Sequence, residues 1–180
     1  MSPLYRRVLG TRFDQLPPQV RALHDLDGCA TWRGTADVVR GRHVLARLAG
    51  WITSLPPNGP AQPLSVTFEA REGAEVWSRT FGQSVFRTVQ FARGPDLCER
   101  AGPVTFRFAA EVSDATLRLR LLGMSVLGIP APRFLLPAIT TEEREIAGRY
   151  RFRVESALPL IGLLVRYEGS LVRADGPSSA

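Results

Sequence analysis

A chain of 180 residues, 44% of them apolar, is long enough to bury roughly 70% of its unfolded surface in one core. Its net charge is +6, yet all 23 basic residues are Arg and they alternate along segments, which argues against a nucleic-acid partner. No uncharged apolar run reaches the ~18 residues a membrane-spanning helix needs, and no signal peptide opens the chain, so a cytoplasmic protein is expected.

Ser2-Pro3 starts a short helix that Gly10 stops. Leu16-Pro17-Pro18 starts a second, with Val20, Leu23 and His24 on one face, and Asp27-Gly28 ends it. Cys29 to Arg40 reads as a strand whose inner face is Trp32, Gly34, Ala36 and Val38. His43 to Leu55 reads as an amphipathic helix, terminated by Pro56-Pro57-Asn58-Gly59-Pro60.

From Leu64 onward the pattern is almost all strand. Glu72-Gly73 is a hairpin turn that sets Phe68 opposite Trp77 and Val66 opposite Arg79. At the next turn a three-residue loop, Gly82 to Ser84, brings Arg79 across from Arg87. A two-residue turn with Gly82 first sends Arg87 outside instead. Val104, Phe106, Phe108, Ala110 and Val112 share one face, and a turn at Asp114-Ala115 pairs Val112 with Leu117, Ala110 with Leu119 and Phe108 with Leu121. Met124 to Ile139 is apolar and broken by proline, and Thr140 to Ile146 reads as a charged connection. Tyr150, Phe152 and Val154 then alternate with polar residues. After a corner at Leu158-Pro159, Leu163, Val165, Tyr167 and Leu171 continue the inner face.

Eight or nine short strands joined by hairpins, with two or three short helices before them, predict a mainly β fold. The meander closes into a lipocalin-like antiparallel barrel with a cavity, because closure protects the sheet edges. The alternative is the START-like helix-grip fold, which lacks support from a C-terminal helix. Residues 1–175 are expected to form a single domain, followed by a disordered tail at 176–180.

Several phrases then stand together. They are Leu4-Tyr5-Arg6-Arg7-Val8-Leu9-Gly10, Leu16-Pro17-Pro18, Leu127-Gly128-Ile129-Pro130-Ala131-Pro132-Arg133, and Leu158-Pro159-Leu160-Ile161-Gly162 with Tyr167-Glu168-Gly169. With them the chain resembles a bacterial domain of unknown function often found C-terminal to saccharopine-dehydrogenase-like Rossmann domains. The resemblance implies relatives that work beside a reductase of small metabolites, and hence a possible separate reductase as partner. It brings no catalytic residues. The chain has no Gly-x-Gly-x-x-Gly, so no dinucleotide cofactor is expected.

His24, on an apolar helix face, reads as a core or capping histidine, with a general base as the functional alternative. Glu111 faces Arg118 across the Asp114-Ala115 hairpin, which makes it half of a surface ion pair. Trp77, Phe106, Phe108, Phe152 and Tyr167 all fall in the inward phase, where they fill core or line a cavity for a flat or polyene-like ligand. The Tyr167 hydroxyl needs a partner or a ligand. Arg79 points where apolar residues point. It either snorkels to water or meets Glu75, or else, with Arg87, holds a carboxylate or enolate oxygen of the ligand.

Cys29 and Cys98 have no metal-ligand spacing, no nucleophile elbow occurs, and no metal site is expected. The expectation is a barrel that binds an apolar biosynthetic intermediate. Arg79, Tyr167 and His24 are its candidate catalytic residues, and Trp77, Arg87, Phe106, Phe108 and Phe152 its candidate ligand contacts. A shaped pocket of this kind suits a cofactor-free cyclase or isomerase. The alternative is a non-catalytic partner of a reductase, and a third reading is peripheral membrane contact through the His43–Leu55 helix.

Overall fold

The structure is a computed structural model and describes residues 2–41, 43, 58–159 and 161–174. The first segment forms helix α1 (Leu4–Leu9), a 3-10 turn (Gly10–Gln15) and helix α2 (Pro18–His24). Gly10 adopts φ 58° at the end of α1, a left-handed conformation that glycine takes without a Cβ clash. Pro18 starts α2, where a missing N–H costs nothing. Both helices bury one stripe: Leu4, Tyr5, Val8 and Leu9 from α1, then Val20, Leu23 and His24 from α2.

Eleven strands follow. They are β1 (Cys29–Arg40), β2 (Gly59–Arg71), β3 (Ala74–Phe81), β4 (Ser84–Arg93), β5 (Asp96–Ala101), β6 (Val104–Ser113), β7 (Thr116–Val126), β8 (Ile129–Pro130), β9 (Ala138–Ile146), β10 (Arg149–Leu158) and β11 (Gly162–Arg173). Each of the first seven pairs with the next in antiparallel fashion. β11 pairs with β1, and β7 pairs with β9, which closes the ring. Ten strands therefore form a closed antiparallel barrel of the expected lipocalin-like kind, and β8 only extends the edge of β7. Closure leaves no free edge in the ring, and it replaces the open, helix-wrapped sheet of the helix-grip alternative.

The helices plug one end. Leu4 N–H donates to Glu75 (3.3 Å), Arg7 donates to the Gly73 carbonyl (3.0 Å), and Gln19 N–H donates to Glu145 (2.8 Å). That end carries the turns at 72–73, 94–95, 114–115 and 147–148. The opposite, distal end carries the turns at 82–83 and 102–103, the 127–137 loop and the β10–β11 turn. The interior is one continuous cluster that includes Trp32, Phe68, Trp77, Leu97, Phe108, Leu117 and Phe152. Each such side chain contributes about 1.5–3 kcal/mol by leaving water.

The hairpin registers follow the turn chemistry. Phe68 faces Trp77, Val66 faces Arg79, and Val112, Ala110 and Phe108 face Leu117, Leu119 and Leu121 as expected. At the β3–β4 turn the two-residue form is adopted, so Arg79 faces Phe86 and Arg87 faces Ser78. Glu111 does stand across from Arg118 in backbone register, but its carboxylate takes Arg120 (2.9 Å), while Arg118 pairs with Glu142. The expected charged connection at Thr140–Ile146 is instead strand β9. Its inward residues Thr141 and Glu143 are polar, which hid the alternation. A register shift after Ser156 moves the inner face of β11 by one residue, so Leu164, not Leu163, reaches the interior. The helix expected at His43–Leu55 and the tail at 176–180 lie outside the described residues, His43 excepted. No helix among the described residues is long and apolar enough to cross a membrane.

Candidate functional site

Toward the distal end the barrel encloses a cavity of about 180 Å³. Phe81, Phe86, Phe106, Phe108, Leu119 and Val165 supply most of its apolar wall. Its polar groups are Arg79, Thr88, Gln90, Glu99, Thr141, Ser156 and Tyr167. Thr88, Gln90, Glu99 and Thr141 arrive there because β4, β5 and β9 turn polar residues inward, and Arg79, Ser156 and Tyr167 come from β3, β10 and β11. On β4 the inward set is Phe86, Thr88, Gln90 and Ala92, while Val85 faces outward and is 58% exposed.

Arg79 is the centre of that polar group. Its Nη1 donates to Thr88 Oγ1 (2.9 Å) and its Nη2 donates to Glu99 Oε1 (3.2 Å). The guanidinium carbon lies 4.9 Å from the Trp77 ring centroid and 5.6 Å from that of Phe86. Burial works against the charge on Arg79 and the facing Glu99 carboxylate favours it, and the net result is a pKa above the ordinary value. An unpaired guanidinium here would cost several kcal/mol, at the order of magnitude typical for buried charges. Glu99 removes most of that cost, and Arg79 does not reach Glu75.

Tyr167 lines the same cavity. Its ring meets Phe81 (6.1 Å) and Phe152 (6.0 Å), and burial pushes its hydroxyl pKa up although Arg79 pulls it down. At neutral pH the group is therefore a neutral donor. Among the described residues its hydroxyl makes no hydrogen bond.

Below the cavity, against the helical plug, lies a second polar cluster. His24 is fully buried, its Nε2 is 2.6 Å from Glu143 Oε2, and its ring stacks on Tyr5 at 3.7 Å. Its Nδ1 has no hydrogen-bond partner among the described residues. The Tyr5 hydroxyl donates to Gln90 (3.0 Å), and Trp77 Nε1 donates to Glu75 (3.1 Å). Burial raises the pKa of Tyr5, Tyr150 and Glu75, in the last case against the N–H groups of Trp77 and Leu4. This cluster ties α1 and α2 to β3, β4 and β9 through buried hydrogen bonds.

The sequence-derived candidates thus separate by location. Arg79, Tyr167, Phe106 and Phe108 come together around the cavity. His24 and Trp77 lie in the cluster beneath it, where His24 has the core role weighed for it from its helix face. Phe152 belongs to the core between Tyr150 and Tyr167. Arg87 is corrected: the two-residue turn places it outside, 57% exposed and 3.8 Å from Glu69. Thr88, Gln90 and Glu99 were missed. For Thr88 and Gln90 the signal lay on β4, whose apolar set, Val85, Val89 and Phe91, resembles an inner face and is the outer one, while Glu99 on β5 carries no such signal. Both cysteines are free, and burial raises the pKa of Cys98, which keeps it a thiol.

The family described as Domain of unknown function (DUF4166) matches residues 16–171 of the chain. None of the curated proteins matches the sequence. Among solved structures the chain is similar to a crystal structure of a protein with unknown function from the DUF3598 family of Nostoc punctiforme. The two are 13% identical with a TM-score of 0.48 over 81% of this chain. The match spans 47% of that protein, about half its length.

Proposed function

The chain belongs to the DUF4166 family, a domain of unknown function, and on that premise we propose that its barrel binds a largely apolar small molecule through one oxygen-bearing head group. The observation that carries this reading is the Tyr167 hydroxyl. It belongs to a half-buried side chain, makes no hydrogen bond to a described residue, and borders a cavity whose other walls are mostly apolar. An acceptor that reaches it gains a hydrogen bond worth about 0.5–1.5 kcal/mol, and more from the apolar wall.

The neighbouring charges narrow the head group. Arg79 is already matched by Glu99 at 3.2 Å, so a carboxylate or enolate would have to compete with Glu99 for it. A carbonyl or hydroxyl oxygen accepts a hydrogen bond from Tyr167 without disturbing that pair. The cavity, at about 180 Å³, is smaller than the roughly 300–1,000 Å³ of sites for drug-sized ligands. A small ring fits inside it, and a longer ligand extends past the distal rim. A hydroxyl and a guanidinium near one oxygen also polarise it, which is the chemistry a cofactor-free isomerase or cyclase uses.

The test is binding of 1-naphthol, an apolar ring with one hydroxyl, followed by fluorescence titration, alongside native mass spectrometry of the purified protein for retained ligand. Tyr167→Phe removes only the unpartnered hydroxyl and should leave the fold intact while weakening binding about fivefold to tenfold. Ala101→Leu fills part of the cavity and should abolish it. Equal binding by all three proteins would rule the cavity out as the site.

A further inference from the structure

The exposed large apolar side chains of the described residues are not spread evenly. There are nine, and only Ile146 and Val172 lie at the helical end. The other seven, among them Val85, Leu127, Ile129, Phe134 and Leu135, lie at the distal end where the cavity is. Five of those seven fall in one loop and its flanking strand, between Val126 and Leu135. Leu127 is 80% exposed, and Ile129 and Phe134 are each 73% exposed.

The hairpin tip has a second peculiarity. Leu127 and Gly128 take φ 52° and φ 84°, the conformation of a type I′ turn. That turn favours Asn or Asp before glycine, whereas a leucine there has a strained backbone. At 80% exposed, this leucine buries little of its side chain against the rest of the protein, which leaves it open to something outside the chain.

We propose that this distal rim inserts into the surface of an anionic lipid bilayer, with Leu127, Ile129, Phe134 and Leu135 entering the interface. The inference rests on the binding reading above and deepens it, because it names where the apolar ligand comes from. A bilayer is favoured over a protein partner by the charge at this end. Arg100 and Arg133 are exposed there, and neither has an ion pair among the described residues. Protruding apolar side chains flanked by unpaired guanidinium groups match an interface of acyl chains under anionic headgroups. Docking in this way sets the cavity rim against the membrane, so an apolar molecule passes between the two without crossing water.

Flotation with vesicles of roughly two parts phosphatidylcholine to one part phosphatidylglycerol tests the proposal. The intact protein should float. The triple variant Leu127→Ser, Ile129→Ser, Phe134→Ser should remain at the bottom, with flotation reduced at least tenfold. Phe134→Asp alone, a milder change to the fold, should give an intermediate loss. Binding of 1-naphthol in solution should be unchanged in these variants, which separates failure of membrane docking from failure of the binding reading. A protein that does not float, or a folded triple variant that floats like the original, overturns the proposal. Capture of a protein partner by the rim while vesicles are ignored overturns it as well.

Discussion

Arg79 on β3 and Glu99 on β5 face each other across the intervening strand β4, whose Thr88 accepts the second hydrogen bond of the guanidinium. The two side chains are only 12% and 18% exposed, so the pair sits inside the barrel and holds three successive strands to one geometry. Removing one partner strands the other charge in a poorly hydrated place. Glu99→Gln should therefore lower stability by about 3–5 kcal/mol in urea unfolding. The double variant Arg79→Met, Glu99→Met should recover most of that loss, because an apolar pair of similar size needs no partner. A double variant as unstable as the single one would show that the charges themselves hold the strands.

The neighbouring strand shows how far the barrel could be read from sequence. Where polar and apolar residues alternate with the apolar set inward, as in Val104 to Val112, strand, face and register were all legible. On β4 and β9 the alternation is inverted or masked, because Thr88, Gln90, Thr141 and Glu143 point inward. Inward polar residues are satisfied by groups far away in sequence: Gln90 by Tyr5, Glu143 by His24, Glu99 by Arg79. No local pattern carries that information. The inward direction of Arg79 was legible from the Glu72-Gly73 hairpin, but its partner was not.

Gln90 offers a direct check of that account. It is 1% exposed and accepts the Tyr5 hydroxyl at 3.0 Å. If β4 is inverted because its polar residues anchor the plug, Gln90→Leu should cost about 1–3 kcal/mol despite being a gain in apolarity. Tyr5→Phe together with Gln90→Leu should cost less than Gln90→Leu alone, since no hydroxyl is then left without its acceptor. Thermal unfolding of the four proteins gives the coupling.

On the outer face the opposite outcome is expected. Glu111 and Arg120 are 48% and 62% exposed at 2.9 Å, and Arg87 is exposed beside Glu69. Exposed pairs of this kind are worth roughly 0–1 kcal/mol. Glu111→Gln and Arg87→Gln should each leave both stability and 1-naphthol binding within error of the original. A tenfold loss of binding in either would move the site to the outside of the barrel.

The seam between the first and last strands is less forgiving. Gly34 on β1 and Gly169 on β11 lie where a Cβ would collide with backbone, with the Ser170 carbonyl in one case and the Thr35 carbonyl in the other. Neither needs a glycine φ, so the requirement is close approach of the two strands that close the ring. A side chain at either place forces β1 and β11 apart at the point where the barrel shuts. Gly34→Ala should cost at least about 3 kcal/mol by thermal unfolding, at the severe end for a single methyl group. A folded Gly34→Ala protein of unchanged stability would mean that the seam is looser than this geometry requires.

Glu75 gives the stability curve a defined direction with pH. Burial raises its pKa above the ordinary 4.5, while the Trp77 and Leu4 N–H groups and the nearby His24 and Arg7 pull the other way without cancelling it. The folded protein therefore holds this proton to a higher pH than the unfolded chain does. Below about 4.5 both states are protonated and the contribution is complete. As pH rises from there through the raised folded pKa, the unfolded chain releases its proton first and stability falls. Glu75→Gln loses one acceptor, a pH-independent cost, but it cannot titrate. The stability difference between the original protein and Glu75→Gln should therefore shift against the original as pH rises above about 4.5 and level off once the folded carboxyl has ionised. Urea midpoints across that range measure it, and a difference independent of pH would show that the carboxyl titrates alike in both states.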